Sequence, residues 1–360
     1  MTPRTIGDVV LRYPDPDAEL AGVALVGELW KRRPPVPFTR RDKRWELRLP
    51  RPPVDRFEYQ LQLTFPDGRT ALTLDPAAPV TPGPLGDKSV VELPAYEQPR
   101  WVSTQVPEGS IRSLRLPSLR LRTAVQGLLW SPSGADPGEP LPLLAFPSEQ
   151  GPCWQYEERG MVDAIAGLLE AGRVKLYCVD SYDASSWHDE SIPLEERARR
   201  HHTYERWILD DVVPLVEHDC SGAREVMVTG PSFGAYHAAN FALKHAHVFP
   251  LAICHSGVYD VSVVGWGERG DSVYFNNPMD YVPHMAGPHL DWLRGQVNLL
   301  LLVGRGQWED TTGALDSTHR FAEQLGAKGI HHELDVWGNE WAHDWPTWRA
   351  QLAHHLPLFC

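Results

Sequence analysis

Six short apolar runs, each opening onto a helical or turn-rich stretch, constrain this chain more than any other feature. They are LPLLAFP (141–147), VKLYCVDS (174–181), REVMVTG (224–230), LAICHSG (251–257), VNLLLLVG (297–304) and HHELDVWG (331–338). Between them lie ERGMVDAIAGLLEAG, a long helical stretch through YERWILDDVVPLVEHD, AYHAANFALKHA, a turn-rich insertion, STHRFAEQLGAKG and the terminal PTWRAQLAHHLPLF. A strand covered on both faces reads as a continuous apolar run, and parallel neighbours need a crossover, usually a helix. The alternation predicts a mostly parallel sheet with helices on both faces. IRSLRL and TAVQGLLWSP, just upstream, read as an antiparallel pair that starts this domain.

The first hundred residues follow another pattern. GVALVG (22–27), RWELRLP (44–50), FEYQLQLTF (57–65) and RTALTLD (69–75) are short and β-rich. FEYQLQLTF alternates apolar and polar residues, as a half-buried strand does. Pro66-Asp67-Gly68 turns it into a hairpin. With Pro-rich turns between the strands, residues 1–105 are expected to form a small immunoglobulin-like β-sandwich. The segment PAYEQPRWVSTQVPEG (94–109) reads as a linker, and residues 106–360 as the α/β domain. A chain of 360 residues has room for both cores.

The stretch VTGPSFGAYHAANFAL places Ser232 in a G-x-S-x-G pattern. Alone the pattern is weak, and a serine in an ordinary strand-to-helix turn would satisfy it. Here it closes an apolar run and opens an alanine-rich helix, the setting of a nucleophile elbow. So sharp a reversal brings the positions two residues either side of the nucleophile against neighbouring backbone. Gly230 and Gly234 remove that collision. The hydroxyl would then stand at a helix N-terminus, where developing negative charge is favoured.

A serine nucleophile needs a base, and the base needs an orienting acid; in this kind of sheet they follow in the order serine, acid, histidine. Of the 16 histidines, His343 follows the last predicted strand and precedes the last helix, with Pro346 suited to its first turn. His331 and His332 fall in the strand and His354 and His355 in the helix. His237 would ride the helix after Ser232, and His255 could line the pocket. GRGQWEDTTG, after the preceding strand, offers Glu309 and Asp310 as the acid. The oxyanion would be held by the backbone N–H of Phe233 and by a second amide from the loop PSEQGPC, where Gly151 marks a bend.

These residues resemble the family of enterochelin esterases and esterase-D-like α/β hydrolases. GPSFGAYHAANFAL, YFNNPMDYVP, GQWED and LDVWGNEWAHDWPTW carry the resemblance in the larger domain. GELW, RWELRLP, FEYQ, LDPAAP and SVVELPAYEQPRW resemble the early-set β-sandwich of siderophore esterases, a module similar to glycogen-binding domains. The resemblance implies an α/β-hydrolase fold, a serine esterase working through an acyl-enzyme, and Ser232, Glu309 and His343 as its triad. GRGQWED departs from the commoner G-x-x-D form at the acid.

Composition narrows the partners. A net charge of −13 does not suit a general nucleic-acid binder. No apolar run reaches bilayer length, and MTPRTIGDVV lacks a signal-type apolar core, so a cytoplasmic protein is expected. The five widely spaced cysteines lack a C-x-x-C pair and read as buried thiols. The His-His pairs at 201, 331 and 354 lack ligand spacing, and no G-K-[ST] follows Gly304, so neither metal nor nucleotide cofactor is expected.

The expected substrate is a small-molecule ester, possible readings being a ferric catecholate siderophore or an acylated carbohydrate. Acyl transfer and a catalytically silent binding protein are alternative readings. Basic KRRPPVPFTRRDKR (31–44) and EERARRHH (195–202) could attract an anion, or be solvated faces. Trp154, Trp187, Tyr259 and Trp341 could line an aromatic pocket, and Trp30 and Trp45 could stack on sugars or fill the sandwich core.

Overall fold

The computed structural model describes residues 8–27, 35–51, 56–81, 87–94, 96, 110–118, 123–131, 140–220 and 225–360. Its contacts divide into two compact units. The first holds the first 98 residues together with two later loops, Arg305–Thr312 and Gly338–Ala342. The remaining residues form the second.

The first unit contains strands β1 (Val9–Pro14), β2 (Gly22–Gly27), β3 (Val36–Pro37), β4 (Thr39–Arg41), β5 (Arg44–Leu49), β6 (Arg56–Thr64), β7 (Thr70–Thr73), β8 (Val80–Thr81) and β9 (Lys88–Glu92). One antiparallel sheet runs β1-β5-β4; the other runs β3-β2-β6-β9-β8, with β7 on β6. Along β6 burial alternates residue by residue, as its polar-apolar alternation predicts. Val9, Leu11, Leu25, Trp45, Phe57 and Leu61 pack into one core between the sheets. Trp45 therefore fills the sandwich, its indole N–H donating to Asp15 at 3.0 Å. Burial opposes charge on Asp15, but Trp45, the Glu19 amide and Arg40 outweigh it and hold its carboxyl below the usual range. Trp30 and most of the expected linker lie outside the described residues.

The second unit is built on an eight-stranded sheet. Its strands are β10 (Ser110–Ser118), β11 (Thr123–Ser131), β12 (Leu141–Ala145), β13 (Val174–Val179), β14 (Met227–Pro231), β15 (Leu251–His255), β16 (Asn298–Val303) and β17 (His332–Val336). The order is β10-β11-β13-β12-β14-β15-β16-β17. β12 to β17 are parallel, and β10 and β11 join antiparallel at one edge, with Ser110 opposite Ser131. Successive residues point to opposite faces, and each face has its own core. Leu144, Val228, Ala252 and Leu299 pack under the helix Phe233–Lys244. Leu143, Met227, Ile253 and Leu300 pack against Tyr156, Trp345, Trp348 and Leu352. This is the α/β-hydrolase fold.

Two expected helices differ in detail. The stretch after β12 breaks into Gln155–Glu158, Met161–Ala164 and Ala166–Glu170, with left-handed Gly160 (φ 69°) at the first break. Helix Leu194–Trp207 continues through a π turn, Ile208–Val212, into Val213–Asp219. Pro214, which has no N–H for an i−4 bond, sits at that junction. The cysteines are free thiols, four of them buried.

Candidate active site

Ser232 sits between the end of β14 and the first residue of the helix Phe233–Lys244, at φ 55° and ψ −117°. That backbone is strained for any residue but glycine, and its neighbours show why it is forced. A Cβ on Gly230 would lie 2.3 Å from the Gly234 carbonyl group. A Cβ on Gly234 would lie 2.4 Å from the Pro147 oxygen and 2.7 Å from that of Phe146. These obstacles are backbone and cannot swing away. The Ser232 amide donates to the His255 carbonyl at the end of β15, 2.8 Å away. The elbow is thus fixed from both sides, with the side chain only partly covered.

His343 follows β17 and stands two residues before the helix Trp345–His355. The Asp344 carboxylate caps that helix by accepting the Trp345 N–H at 2.7 Å, and Pro346 occupies its first turn. The His343 Nε2 lies 3.0 Å from the Ser232 Oγ. The imidazole meets the Trp348 indole edge to face, with ring centroids 5.1 Å apart.

Five other histidines have partners of their own. His331 contacts Asn298, His332 the Ile330 carbonyl and His355 Asp335. His255 is fully buried against Gln351 (3.0 Å), and burial pushes its imidazole down to about 4. His237 is buried with its Nε2 2.9 Å from Asp183. Burial opposes the charge on Asp183, yet His237 and then His188 hold its carboxyl at about 2. This pair joins residues 54 positions apart, and no local pattern announces it.

The acid candidates lie on the loop after β16. Glu309 is completely buried, whereas Asp310 is exposed and accepts the adjacent Thr311 amide at 2.8 Å. Both belong to the segment Arg305–Thr312, which clusters with the first unit, while Ser232 and His343 lie in the second. The Gly306 N–H donates to the Trp341 carbonyl (2.8 Å), tying this loop to Gly338–Ala342.

Phe233 opens its helix, so its amide has no intrahelical acceptor. Gly151 is corrected as the second donor, since its N–H is already taken by the Ser148 carbonyl at 2.8 Å. The Ser148 amide in turn donates to Gln155 Oε1 at 2.9 Å. Between them lies Gln150, held left-handed at φ 54°.

The expected aromatic pocket is also corrected. Trp187 is fully buried in a cluster with Phe233 and Tyr236, and Tyr259 is buried and stacked on Phe321. Trp154 is the exposed member and Trp341 is half-buried. Several cations of the basic segments have partners of their own. Arg197 is buried and donates to the Trp187, Ile192 and Val264 carbonyls. Arg199 and Arg200 pair with Glu195, Glu196 and Asp189. Arg40 pairs with Asp15 and Arg44 with Glu46; residues 31–34 lie outside the described residues. Among the described residues, no group of three or more His, Cys, Asp or Glu is placed to hold a metal, and no helix is long and apolar enough to cross a membrane.

The profile of the family described as "Putative esterase" matches residues 153–359. No curated protein matches the chain. Among solved structures, the enterobactin esterase of Shigella flexneri, determined in the presence of enterobactin, superposes with a TM-score of 0.66. It is 17% identical, over 98% of this chain and 94% of that one. A ferulic acid esterase superposes with a TM-score of 0.55 at 17% identity, over 69% of this chain and 97% of its own. A fluorophosphonate-binding serine hydrolase of Staphylococcus aureus gives 0.51 at 17% identity, over 69% and 98%.

Proposed function

The chain belongs to this esterase family and is a carboxylic ester hydrolase, and from that premise we propose that Ser232 is the nucleophile, His343 the general base and Glu309 the acid that orients it. The observation that carries the reading is the 3.0 Å separation of His343 Nε2 and Ser232 Oγ. Nε2 takes the hydroxyl proton as Oγ attacks the ester carbonyl, forming a tetrahedral intermediate. The Phe233 amide and a second amide from the loop 147–153 hold its oxyanion. The alcohol leaves with the proton from Nε2, giving an acyl-Ser232 ester. Water, deprotonated by the same Nε2, then attacks that ester; Nε2 returns the proton to Oγ as the C–Oγ bond breaks, freeing Ser232 and a carboxylic acid. A buried carboxylate suits the orienting role better than an exposed one, which favours Glu309 over Asp310.

For the substrate, the reading is an ester of the enterobactin type. Its support is that the enterobactin esterase corresponds to nearly the whole chain, first unit included, whereas the ferulic acid esterase corresponds to 69% of it. Hydrolysis of enterobactin, feruloyl sugar esters, acetylated sugars and p-nitrophenyl acetate, each with a sugar-acceptor control, tests this. Fastest turnover of enterobactin is expected. Turnover confined to sugar esters, or acyl transfer to the added sugar, would replace the substrate reading and leave the triad standing. Undiminished turnover by the Ser232→Ala variant would remove the triad itself.

A further inference from the structure

Trp348 is buried in the core beneath the sheet, and bulk packing alone would account for a tryptophan there. Its contacts are more specific than that. A buried indole N–H needs an acceptor, and Trp348 Nε1 donates to Ser256 Oγ at 3.0 Å. Ser256 stands just beyond β15 and is held left-handed at φ 50°, a conformation costly for a residue with a Cβ. Its own amide donates to the Leu302 carbonyl at 2.6 Å. The residue before it, His255, supplies the carbonyl that accepts the Ser232 amide. Two adjacent residues at the tip of β15 thus hold the nucleophile's backbone and, through Trp348, a ring set 87° to the His343 imidazole.

The contacts continue beyond that ring. Trp348 meets Trp345 with centroids 5.1 Å apart, and Trp345 meets Tyr156 at 6.0 Å, both edge to face. The Tyr156 hydroxyl donates to the Phe146 carbonyl at 3.2 Å. That carbonyl is one of the two that leave no room for a Cβ on Gly234. An aromatic chain therefore runs from the imidazole to the loop that abuts the elbow.

We propose that Trp348 is a positioning residue for His343: anchored by Ser256, its ring fixes the imidazole so that Nε2 faces the Ser232 hydroxyl. The proposal rests on the reading of Ser232 and His343 as nucleophile and base. A flanking ring restricts imidazole rotation, and proton transfer is sensitive to misplacement on the ångström scale. Trp348→Phe keeps an aromatic ring but removes the anchor, and Ser256→Ala removes the acceptor.

The test measures kcat and KM for p-nitrophenyl acetate, the rate of fluorophosphonate labelling and the melting temperature, for both single variants, the double variant and Ser232→Ala. Each single substitution is expected to lower kcat about tenfold with KM within a factor of two, and to slow labelling in step. The double variant is expected to be no slower than the slower single one, because both changes break one link. Unchanged kcat in folded Trp348→Phe and Ser256→Ala, with only the melting temperature lowered, would reduce Trp348 to core packing and overturn the proposal. Penalties that multiply in the double variant would overturn the link through Ser256. If Trp348→Phe does not fold, kcat of Ser256→Ala decides alone. Turnover retained by Ser232→Ala would instead show that the underlying reading of the site had failed.

Discussion

The imidazole of His343 stands 3.0 Å from the hydroxyl of Ser232, although 111 positions separate them in the chain. The sheet closes that gap: β14 and β17 are parallel members of one sheet, and both residues follow the ends of their strands. Replacing Ser232 by Ala is expected to abolish ester hydrolysis and fluorophosphonate labelling with the fold intact. His343→Ala should lower kcat by about 10⁴-fold or more. Turnover and labelling, with circular dichroism as the folding control, check both.

The acid separates by environment. Glu309→Gln is expected to lower kcat by about 10⁴-fold, the size of effect seen when an orienting carboxylate is neutralised in such a triad. Asp310→Asn, at an exposed side chain, should leave kcat within about a factor of two. The reverse ranking in steady-state kinetics would transfer the role to Asp310.

The elbow glycines are required by space. Gly234→Ala would force a methyl group into the Pro147 and Phe146 carbonyls. It is expected to cost ~1–3 kcal/mol of stability, as overpacking does, and to displace Ser232, the proposed nucleophile, so activity should fall with it. Gly313→Ala is the comparison: Gly313 has φ 80° with open space around it, so only backbone strain of ~1–2 kcal/mol applies. Denaturation midpoints read the stabilities. Activity should separate the variants, lost at 234 and kept at 313.

His188 lies 2.8 Å from Glu149, in the loop after β12, and its ring meets Phe233 edge to face at 4.9 Å. Burial lowers the tendency of His188 to charge, but Glu149 and Asp183 outweigh it, against Arg197, and the group sits above its ordinary value. A raised native value means that the stabilisation is complete below the unfolded value of ~6.5 and disappears as pH rises through the native one. Glu149 is 56% exposed, so the contribution is under ~1 kcal/mol. Glu149→Gln should therefore lower the unfolding free energy most near pH ~5–6, change it little near pH ~9, and flatten the decline between them. Denaturant titrations across pH 5–9 test it.

Glu205 is the buried hub of another charge cluster, accepting from His202, His245 and Lys244. Burial opposes its charge, but these partners hold its carboxyl far below the ordinary range. Its stabilising effect is present above the unfolded value of ~4.3 and lost as pH falls toward the native one. Glu205→Gln should cost ~3–5 kcal/mol at neutral pH, because Lys244 loses its charge partner. The variant should also show a shallower acid transition in thermal melts between pH 7 and pH 3.

What the sequence determined is what local pattern can encode. Apolar runs located β12 to β16, since a strand buried on both faces must be apolar throughout, while the edge strand β17, HELDV, is mostly polar and was legible from its place before the last helix. Alternation in FEYQLQLTF located β6. Gly-x-Ser-x-Gly placed the elbow, because steric exclusion at two fixed offsets leaves a readable mark. The place of His343, the proposed base, between the last strand and a Pro-started helix was legible. Contacts between distant residues were set only by how the elements pack. The 305–312 loop clusters with the sandwich, and Trp187 and Tyr259 turn into the core. Asp183 meets His237, and Trp348 meets Ser256, across 54 and 92 positions. Such pairings depend on which faces pack together, and a side chain's type does not fix its partner until the sheet has set the distances.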